Sequence, residues 1–160
     1  MIINIEKKIN LEYEFLDQNI ETHLFNKIKK TFEGECIKEH GYILSVLRLI
    51  EIKDNIISNA NSKLLFTAVF EADVLKPEIN SVFMGKVVMI LPTGIFVETQ
   101  NILKILIPKN GFIGYEYNQA ENSYSKNDNK IMKDSIVKVS ITKTKYAKKS
   151  FSCFGNLIEN

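Results

Sequence analysis

The 160-residue sequence predicts two domains: an α+β domain with one helix packed on a small antiparallel sheet, followed by an all-β five-stranded barrel. Three patterns lead to this prediction: a helical apolar repeat at residues 20–32, a strictly alternating strand at residues 64–75, and five more strand patterns within residues 82–158. Pro77 ends the alternating strand because proline cannot extend a hydrogen-bonded ladder. We therefore expect domains at residues 1–79 and 80–160.

The N-terminal domain begins with a strand pattern at residues 2–9 and continues with the helix. Apolar residues recur every four positions along that helix: Ile20, Leu24, Ile28 and Phe32. Asp17 or Asn19 can cap its start, and Gly34 is the kind of residue that ends a helix. These features predict one amphipathic helix against the sheet.

After the helix, residues 34–52 have the pattern of a β-hairpin with its turn at residues 39–41. The stretch DNIISNANS, residues 54–62, is rich in Asn and Ser and predicts a loop. The strand at residues 64–75 then places alternate apolar side chains on one face: Phe66, Ala68, Phe70, Ala72 and Val74.

The second half predicts a small closed barrel of the OB type, a fold that binds oligonucleotides on an open face. Its strands are expected at residues 82–91, 95–100, 102–108, 134–144 and 150–158. Gly85 in the first of them would mark a bend where the barrel closes. Residues 114–130 form a polar stretch long enough to hold a short helix or to be mobile.

Composition excludes several classes of protein. No apolar run approaches the roughly 20 residues that span a bilayer, and the charged N-terminus does not resemble a signal peptide, so we expect an intracellular protein without membrane contact. Cys36 and Cys153 are expected to be buried thiols in a reducing compartment, and Cys36 with His40 lacks a second ligand pair. No nucleophile and base, phosphate loop or ligand cluster is apparent. We predict no enzyme, no metal and no cofactor.

The lysines are distributed unevenly, although the net charge of +2 is too small to indicate nucleic acid by itself. One cluster lies near the C-terminus: Lys143, Lys145, Lys148 and Lys149. A solvated hairpin and a phosphate-facing stripe explain it equally well. Lysines at residues 27, 29 and 30 instead complement the dipole at the end of the helix.

Three segments carry a resemblance to a known family: FEGECIKEHGYILSV at residues 32–46, FTAVFEADVLKPEINSVFMGKVV at residues 66–88, and ILPTGIFVETQNILKILIP at residues 90–108. They resemble, in order, the hairpin after the helix, the junction between domains and the glycine turn of the S1-type barrel in the larger stalk subunit of multisubunit DNA-directed RNA polymerases, a family found in archaea and in all eukaryotic nuclear polymerases. Order and spacing match from about residue 2 to residue 110. Beyond that, the strand pattern alone matches.

The resemblance implies a non-catalytic subunit. Its N-terminal domain would dock on the polymerase core near the clamp, and its barrel would lie near the emerging transcript. The implied partners are the largest core subunits, a small helical stalk subunit, and nascent RNA bound weakly and with little sequence preference.

In RNA-binding S1 barrels one aromatic residue precedes the turn glycine and another follows it by two positions. Here Thr93 takes the first position and Phe96 the second, and Pro108 replaces a frequent histidine or aromatic in the next strand. Stacking is worth about 1–3 kcal/mol per base, so we expect weakened RNA binding, and Phe96 could equally be a core residue. The remaining candidates are lysines that would contact phosphates: Lys86, Lys104, Lys109, Lys143 and Lys145.

The family usually has a glycine-rich tip that docks on the core enzyme where this chain has residues 53–63. Because this segment has no glycine, we expect docking with altered backbone geometry. The docking candidates are Lys53, Asp54, Asn55, Ile56, Ile57, Asn59 and Asn61.

Two alternatives stay open. A free-standing S1/OB-fold RNA-binding protein of translation or RNA decay would explain the barrel but not the first half, and it should keep its stacking aromatics. An adaptor between two proteins would use the same apolar surface without meeting RNA.

A short, lysine-rich chain with Arg48 as its single arginine would suit a large DNA virus. Its location would then be a viral factory and the virion, and otherwise the nucleus.

Overall fold

The computed structural model describes the backbone of residues 1–58 and 63–159, and the side chains of those ranges except residues 55–58. The chain forms two compact units, Met1–Lys76 and Pro77–Asn160. The predicted fold class is confirmed, with one helix on an antiparallel sheet in the first unit and a closed five-stranded barrel in the second. The predicted boundary after residue 79 lies within a few residues of this division and stays a prediction. No helix in the described part of the chain is long and apolar enough to span a membrane.

The first unit is a four-stranded antiparallel sheet with one helix packed on it. The elements are β1 (Ile2–Glu12), α1 (Ile20–Phe32), β2 (Cys36–Ile37), β3 (Gly41–Ser58) and β4 (Lys63–Leu75), and a short 3₁₀ turn, Tyr13–Phe15, precedes the helix. The strand order in the sheet is β1-β4-β3-β2. Strand β1 is paired with β4 from Ile2 opposite Asp73 to Glu12 opposite Lys63.

The core of this unit lies between α1 and β4, as the apolar patterns predict. Leu24 and Ile28 of the helix are completely buried, and so is Phe70 of β4. The Phe32 and Phe70 rings stack with their centroids 5.4 Å apart. Asn19 is the N-cap residue, but its side chain does not cap the helix, and its N–H donates instead to Oδ1 of Asp17 at 2.8 Å.

Between Ile43 and Asp54, strand β3 has a bulge at every third residue, a feature that the alternating pattern of an ordinary strand does not contain. Its pairing with β4 shifts between Ile43 and Ser45 and again in each following triplet up to Asp54. Each three residues of β3 therefore lie opposite two residues of β4. The sequence here is a repeat of apolar, bulged and outward polar positions: ILS, VLR, LIE and IKD, residues 43–54.

The triplet repeat matches the buried face of β4. Ile43 and Val46 are buried, and Leu49 and Ile52 pack against the same core, opposite alternate residues of β4. The bulged residues are Leu44, Leu47, Ile50 and Lys53. Beyond its short pairing with β2, β3 is an edge strand, and bulges twist such an edge away from pairing with another chain.

The prediction of a loop at residues 54–62 is wrong for residues 54–58. Strand β3 continues to Ser58, and its last residues pair in register with β4 down to Ser58 opposite Lys63. The local preference of Asn and Ser for turns is overridden because β4 offers a complete ladder of partners at this point. Residues 59–62 lie outside the described part of the chain.

Glu33, at the C-terminal end of α1, ties the helix to β3. Its Oε1 accepts from Lys29 Nζ at 2.8 Å and from the Val46 N–H at 2.8 Å. These two hydrogen bonds hold the pKa of Glu33 below its usual value of 4.5. A carboxylate with a lowered pKa stabilises the fold above its unfolded pKa, and that contribution disappears as the pH falls through the folded pKa.

We therefore expect Glu33→Gln to lower the free energy of unfolding by about 1 kcal/mol at pH 7, since a charged acceptor is lost while a neutral one is kept. The difference from wild type should begin to decrease below about pH 4.5, the usual pKa of this carboxyl, and should vanish once the pH has fallen through the lower pKa of the folded state. Urea unfolding at a series of pH values measures it, with Glu35→Gln as the control. A difference that persists in acid would assign the loss to packing instead of charge.

The second unit is a closed five-stranded barrel. Its strands are β5 (Val82–Leu91), β6 (Gly94–Thr99), β7 (Leu103–Pro108), β11 (Ile136–Ala147) and β12 (Ser150–Ile158). They close the barrel in the order β11-β12-β7-β6-β5. Pairing is antiparallel except between β12 and β7. Gly85 pairs with Val137 of β11 at the closing seam. A Cβ at Gly85 would lie 2.3 Å from Cγ1 of the buried Val97 of β6, so glycine leaves room for that side chain inside the barrel.

The polar stretch at residues 114–130 is neither a helix nor an irregular loop, which corrects the expectation. It forms a three-stranded antiparallel sheet of β8 (Glu116–Asn118), β9 (Ser123–Lys126) and β10 (Asn129–Ile131). Tyr124 is completely buried, donates its hydroxyl to the Leu91 carbonyl, and meets Phe112 edge to face at 4.7 Å. A few aromatic anchors thus order a segment whose overall composition is polar.

Candidate nucleic-acid interface on the barrel

The orientation of Phe96, open from the sequence, is settled by its neighbours on β6. Ile95 and Val97 are completely buried inside the barrel, whereas Phe96 between them is half-buried on the outer face. Phe96 is therefore not part of the barrel interior.

Phe96 belongs to a row of outward-facing residues that crosses all five strands. Direct cross-strand pairing joins Met89, Phe96, Leu106, Phe154 and Lys143 in that order. Met89 is 51% exposed and Phe154 is 44% exposed. We call the first four residues the apolar row, and it ends at the lysine.

A second row, the lysine row, lies beside the first. Lys86 pairs with Glu98, and Glu98 pairs with Lys104. On the far side Lys145 pairs with Ser152, which the register of β12 and β7 places beside Lys104. Opposite charges across a strand pair offset each other, so Glu98 reduces the positive potential of its two neighbours.

The structure brings together some of the predicted RNA-binding residues and not others. Lys104 is exposed on β7, the strand next to Phe96, whereas Lys143 and Lys145 are exposed on β11 beyond Phe154, so the lysines give this side of the row a positive character. Lys86 lies at the opposite end, where its Nζ is 3.3 Å from Asp134 Oδ1. This ion pair and Glu98 make Lys86 the weakest phosphate ligand of the set.

The positions that lack the expected aromatics lie together at one end of β6 and β7. Thr93 precedes the turn glycine, and its carbonyl accepts the Lys109 N–H at 2.9 Å. Pro108 pairs with Gly94 beside it. Lys109 is thus held at this end of the face, next to the surface where stacking groups are replaced by a hydroxyl and a proline ring.

Met89, Leu106 and Phe154 were missed by the sequence analysis. Strand β12 reads FSCFG, with apolar or small residues at positions of both faces, so its alternation does not reveal which phenylalanine points outward. In the barrel, Phe151 and Cys153 are buried and Phe154 is exposed. Leu106, the neighbour that joins Phe154 to the apolar row, comes from a strand distant in sequence.

Neither cysteine has the surroundings of a reactive group. Both are buried, and burial raises the pKa of Cys36 and raises the pKa of Cys153 to about 11. A thiol with a raised pKa is a poor nucleophile and metal ligand at neutral pH. Within the residues that the structure describes, no three His, Cys, Asp or Glu side chains lie together as a metal site would require. The absence of metal and cofactor stays a prediction.

Comparison with known proteins gives the family. Residues 6–67 match a family described as the SHS2 domain found in the N terminus of Rpb7p/Rpc25p/MJ0397, and residues 76–154 match the S1 RNA binding domain. A curated relative, DNA-directed RNA polymerase II subunit RPB7 of Glycine max, is 24% identical over 161 residues, which cover 97% of this chain and 90% of that protein.

The chain belongs to the family of larger RNA polymerase stalk subunits. This confirms the resemblance drawn from the sequence. Because the stalk-subunit match includes both units, it does not favour a free-standing S1 protein, which would explain the barrel alone. A viral source is not tested by these matches and stays a prediction.

The docking candidates of a stalk subunit lie at the far end of the β3–β4 hairpin. Lys53 is held by Glu6 of β1, with Nζ 2.7 Å from Oε1, and this hydrogen bond raises the pKa of Lys53. Asp54 is exposed, and the backbones of Asn55, Ile56 and Ile57 pair with β4. Asn59 and Asn61 lie outside the described residues, so their part of the expectation is untested.

Two grooves flank α1 of this stalk subunit. One of about 520 Å³ lies between the helix and β3, and its lining residues include the apolar Phe25, Leu47 and Ile50 and the charged Glu21, Arg48 and Glu51. The other, of about 600 Å³, lies on the opposite side of the helix, where the lining residues include Phe15, His23, Lys27 and Lys30. The first groove therefore combines apolar side chains with charges of both signs, and the second combines an aromatic side chain with mostly basic ones.

Proposed function

We propose that this protein is a non-catalytic stalk subunit that docks on the core of a DNA-directed RNA polymerase and guides nascent RNA. The end of the β3–β4 hairpin would dock near the clamp, and the outer face of the barrel would meet the transcript. The observation that carries the proposal is the order of the two family matches together with a barrel face that combines Phe96 with exposed lysines.

The proposed partners are the largest subunits of the polymerase core, a small helical stalk subunit, and RNA bound weakly and with little sequence preference. The proposed location follows the polymerase: the nucleus, or a cytoplasmic viral factory and the virion. A pull-down of tagged protein after a high-salt wash, followed by mass spectrometry, tests this. The proposal expects the two largest polymerase subunits in near-equal amounts, whereas ribosomal or RNA-decay proteins in their place would contradict it.

The RNA half of the proposal predicts the salt dependence of binding. Lys143→Glu with Lys145→Glu should weaken binding of single-stranded RNA and reduce the slope of log K against log salt by about 1.4, which is about 0.7 for each lost phosphate contact. Fluorescence anisotropy at several salt concentrations measures this slope. The matched control is Lys133→Glu with Lys138→Glu, which changes the net charge by the same amount. Lys133 precedes β11, and Lys138 lies at the end of β11 opposite to Lys143 and Lys145. Equal slopes for the two variants would remove the RNA path from this end of the barrel.

A further inference from the structure

We propose that Phe154 is a second base-stacking platform on the barrel and replaces the aromatic group that Thr93 does not supply. This rests on the proposed RNA-guiding function and assigns a new residue to its surface. The ligand is a base of a single-stranded RNA whose backbone follows the neighbouring lysines.

The first argument is position. Phe154 and Phe96 occupy the same outer row and are separated by one strand, at Leu106. Since neighbouring strands lie about 4.8 Å apart, the backbones of the two residues are separated by about 10 Å, and the curvature of the barrel carries the outward-facing rings farther apart. A stacked strand advances about 3.4 Å per base, so two bases on these rings would be splayed apart instead of stacked on each other.

The second argument is exposure. The inner face of β12 is filled by Phe151, Cys153 and the close-packed Gly155, so the barrel interior does not require Phe154. The outward neighbours of Phe154 on the same strand, Ser152 and Asn156, are polar and exposed. Single exposed apolar residues are common on proteins, but an uninterrupted cross-strand row of four indicates a surface that is covered by a ligand.

The third argument is charge, which distinguishes RNA from an apolar protein segment. Lys143 lies directly opposite Phe154 on β11, Lys145 lies two residues farther along β11, and Lys104 lies two residues from Leu106 on the neighbouring β7. None of these three lysines has a carboxylate within 4.0 Å among the described residues. Aromatic rings beside available cations are the elements with which proteins hold single strands, the rings for bases and the cations for phosphates.

The chain offers a direct spectroscopic test because it contains no tryptophan. Phe154→Trp introduces one fluorophore at the proposed platform, and Ile113→Trp introduces one at a position that is 80% exposed and outside the row. Titration of each full-length variant with an unlabelled single-stranded oligouridylate should quench the tryptophan at 154 and leave the one at 113 nearly unchanged. Comparable quenching at both positions, or none at 154, would overturn the platform.

Affinity provides the second readout. With a fluorescein-labelled oligouridylate, Phe154→Ala should weaken binding about 10-fold, which is the size of one stacking contact, and Ile113→Ala should not. Binding by wild type that is unchanged in Phe154→Ala but lost in Phe96→Ala would reject the second platform and keep the RNA function. No binding by wild type would reject both. Loss of polymerase in pull-downs with Phe154→Ala, at unchanged RNA affinity, would assign the row to a protein partner and overturn the proposal.

Discussion

Replacement of Gly41 by alanine should reduce the free energy of unfolding of the first unit by roughly 2–6 kcal/mol. Gly41 has φ +86°, where a side chain adds about 1–3 kcal/mol of backbone strain. A Cβ there would also lie 2.3 Å from the Leu75 carbonyl oxygen and 2.6 Å from Lys76 Cα, both backbone atoms. Relieving such an overlap requires movement of the end of β4, at a further cost of about 1–3 kcal/mol.

Gly34 is a matched control for this substitution. Its φ is +85°, almost the same as that of Gly41, but no atom lies within 4 Å of its would-be Cβ. Gly34→Ala should therefore lose only the strain of about 1–3 kcal/mol. Urea unfolding followed by circular dichroism compares the two variants directly. Equal losses of stability in the two variants would show that the overlap of a Cβ at Gly41 with the end of β4 costs nothing beyond the backbone strain.

Loss of polymerase capture is the second large effect that we expect. Ile56→Asp with Ile57→Asp places two charges at the end of the β3–β4 hairpin, where the proposed function puts the docking contact. These residues pair with Leu65 and Leu64 close to the last described rung of the ladder, Ser58 opposite Lys63. A melting temperature close to that of wild type is the check that the fold persists in this variant. We expect at least a 10-fold decrease in the largest polymerase subunits recovered by pull-down.

The same strand supplies the control. Leu47→Asp with Ile50→Asp adds the same charge at two bulged, exposed positions of β3 beside the groove under α1. Capture should survive this change if the hairpin end is the docking site. The reverse result, with capture lost in this control and kept in the variant at residues 56 and 57, would move the docking surface to the bulged edge.

Where local pattern and long-range pairing agree, the fold could be predicted from the sequence. The helix at Ile20–Phe32 and the buried face of β4 follow from periodicity alone, because each buries a single side of its own element. The predictions for residues 54–58 and 114–130 were wrong because they relied on composition. Polar composition favours turns, but residues 54–58 continue the hairpin by pairing with the first residues of β4, and the strands β8, β9 and β10 pair with one another around the buried ring of Tyr124.

The outer surface of the barrel could likewise be predicted from the sequence only in part. The glycine turn and the lysines were visible in the sequence, but the neighbours of Phe96 on both sides are apolar, so periodicity cannot say which one faces outward. Phe154 acquires its place only through the parallel pairing of β12 with β7, which follows closure of the barrel. Sequence patterns therefore predicted the fold and part of the surface, while the assembled row required the structure.

The triplet repeat of β3 also limits how this hairpin can change in length during evolution. Three residues of β3 pass opposite two residues of β4, so an insertion preserves every inward position only if it adds a triplet to one strand and a pair to the other. A single inserted residue would rotate the inward residues of one strand out of the core. Relatives with longer or shorter hairpins should differ in these paired steps, and intermediate lengths should be rare.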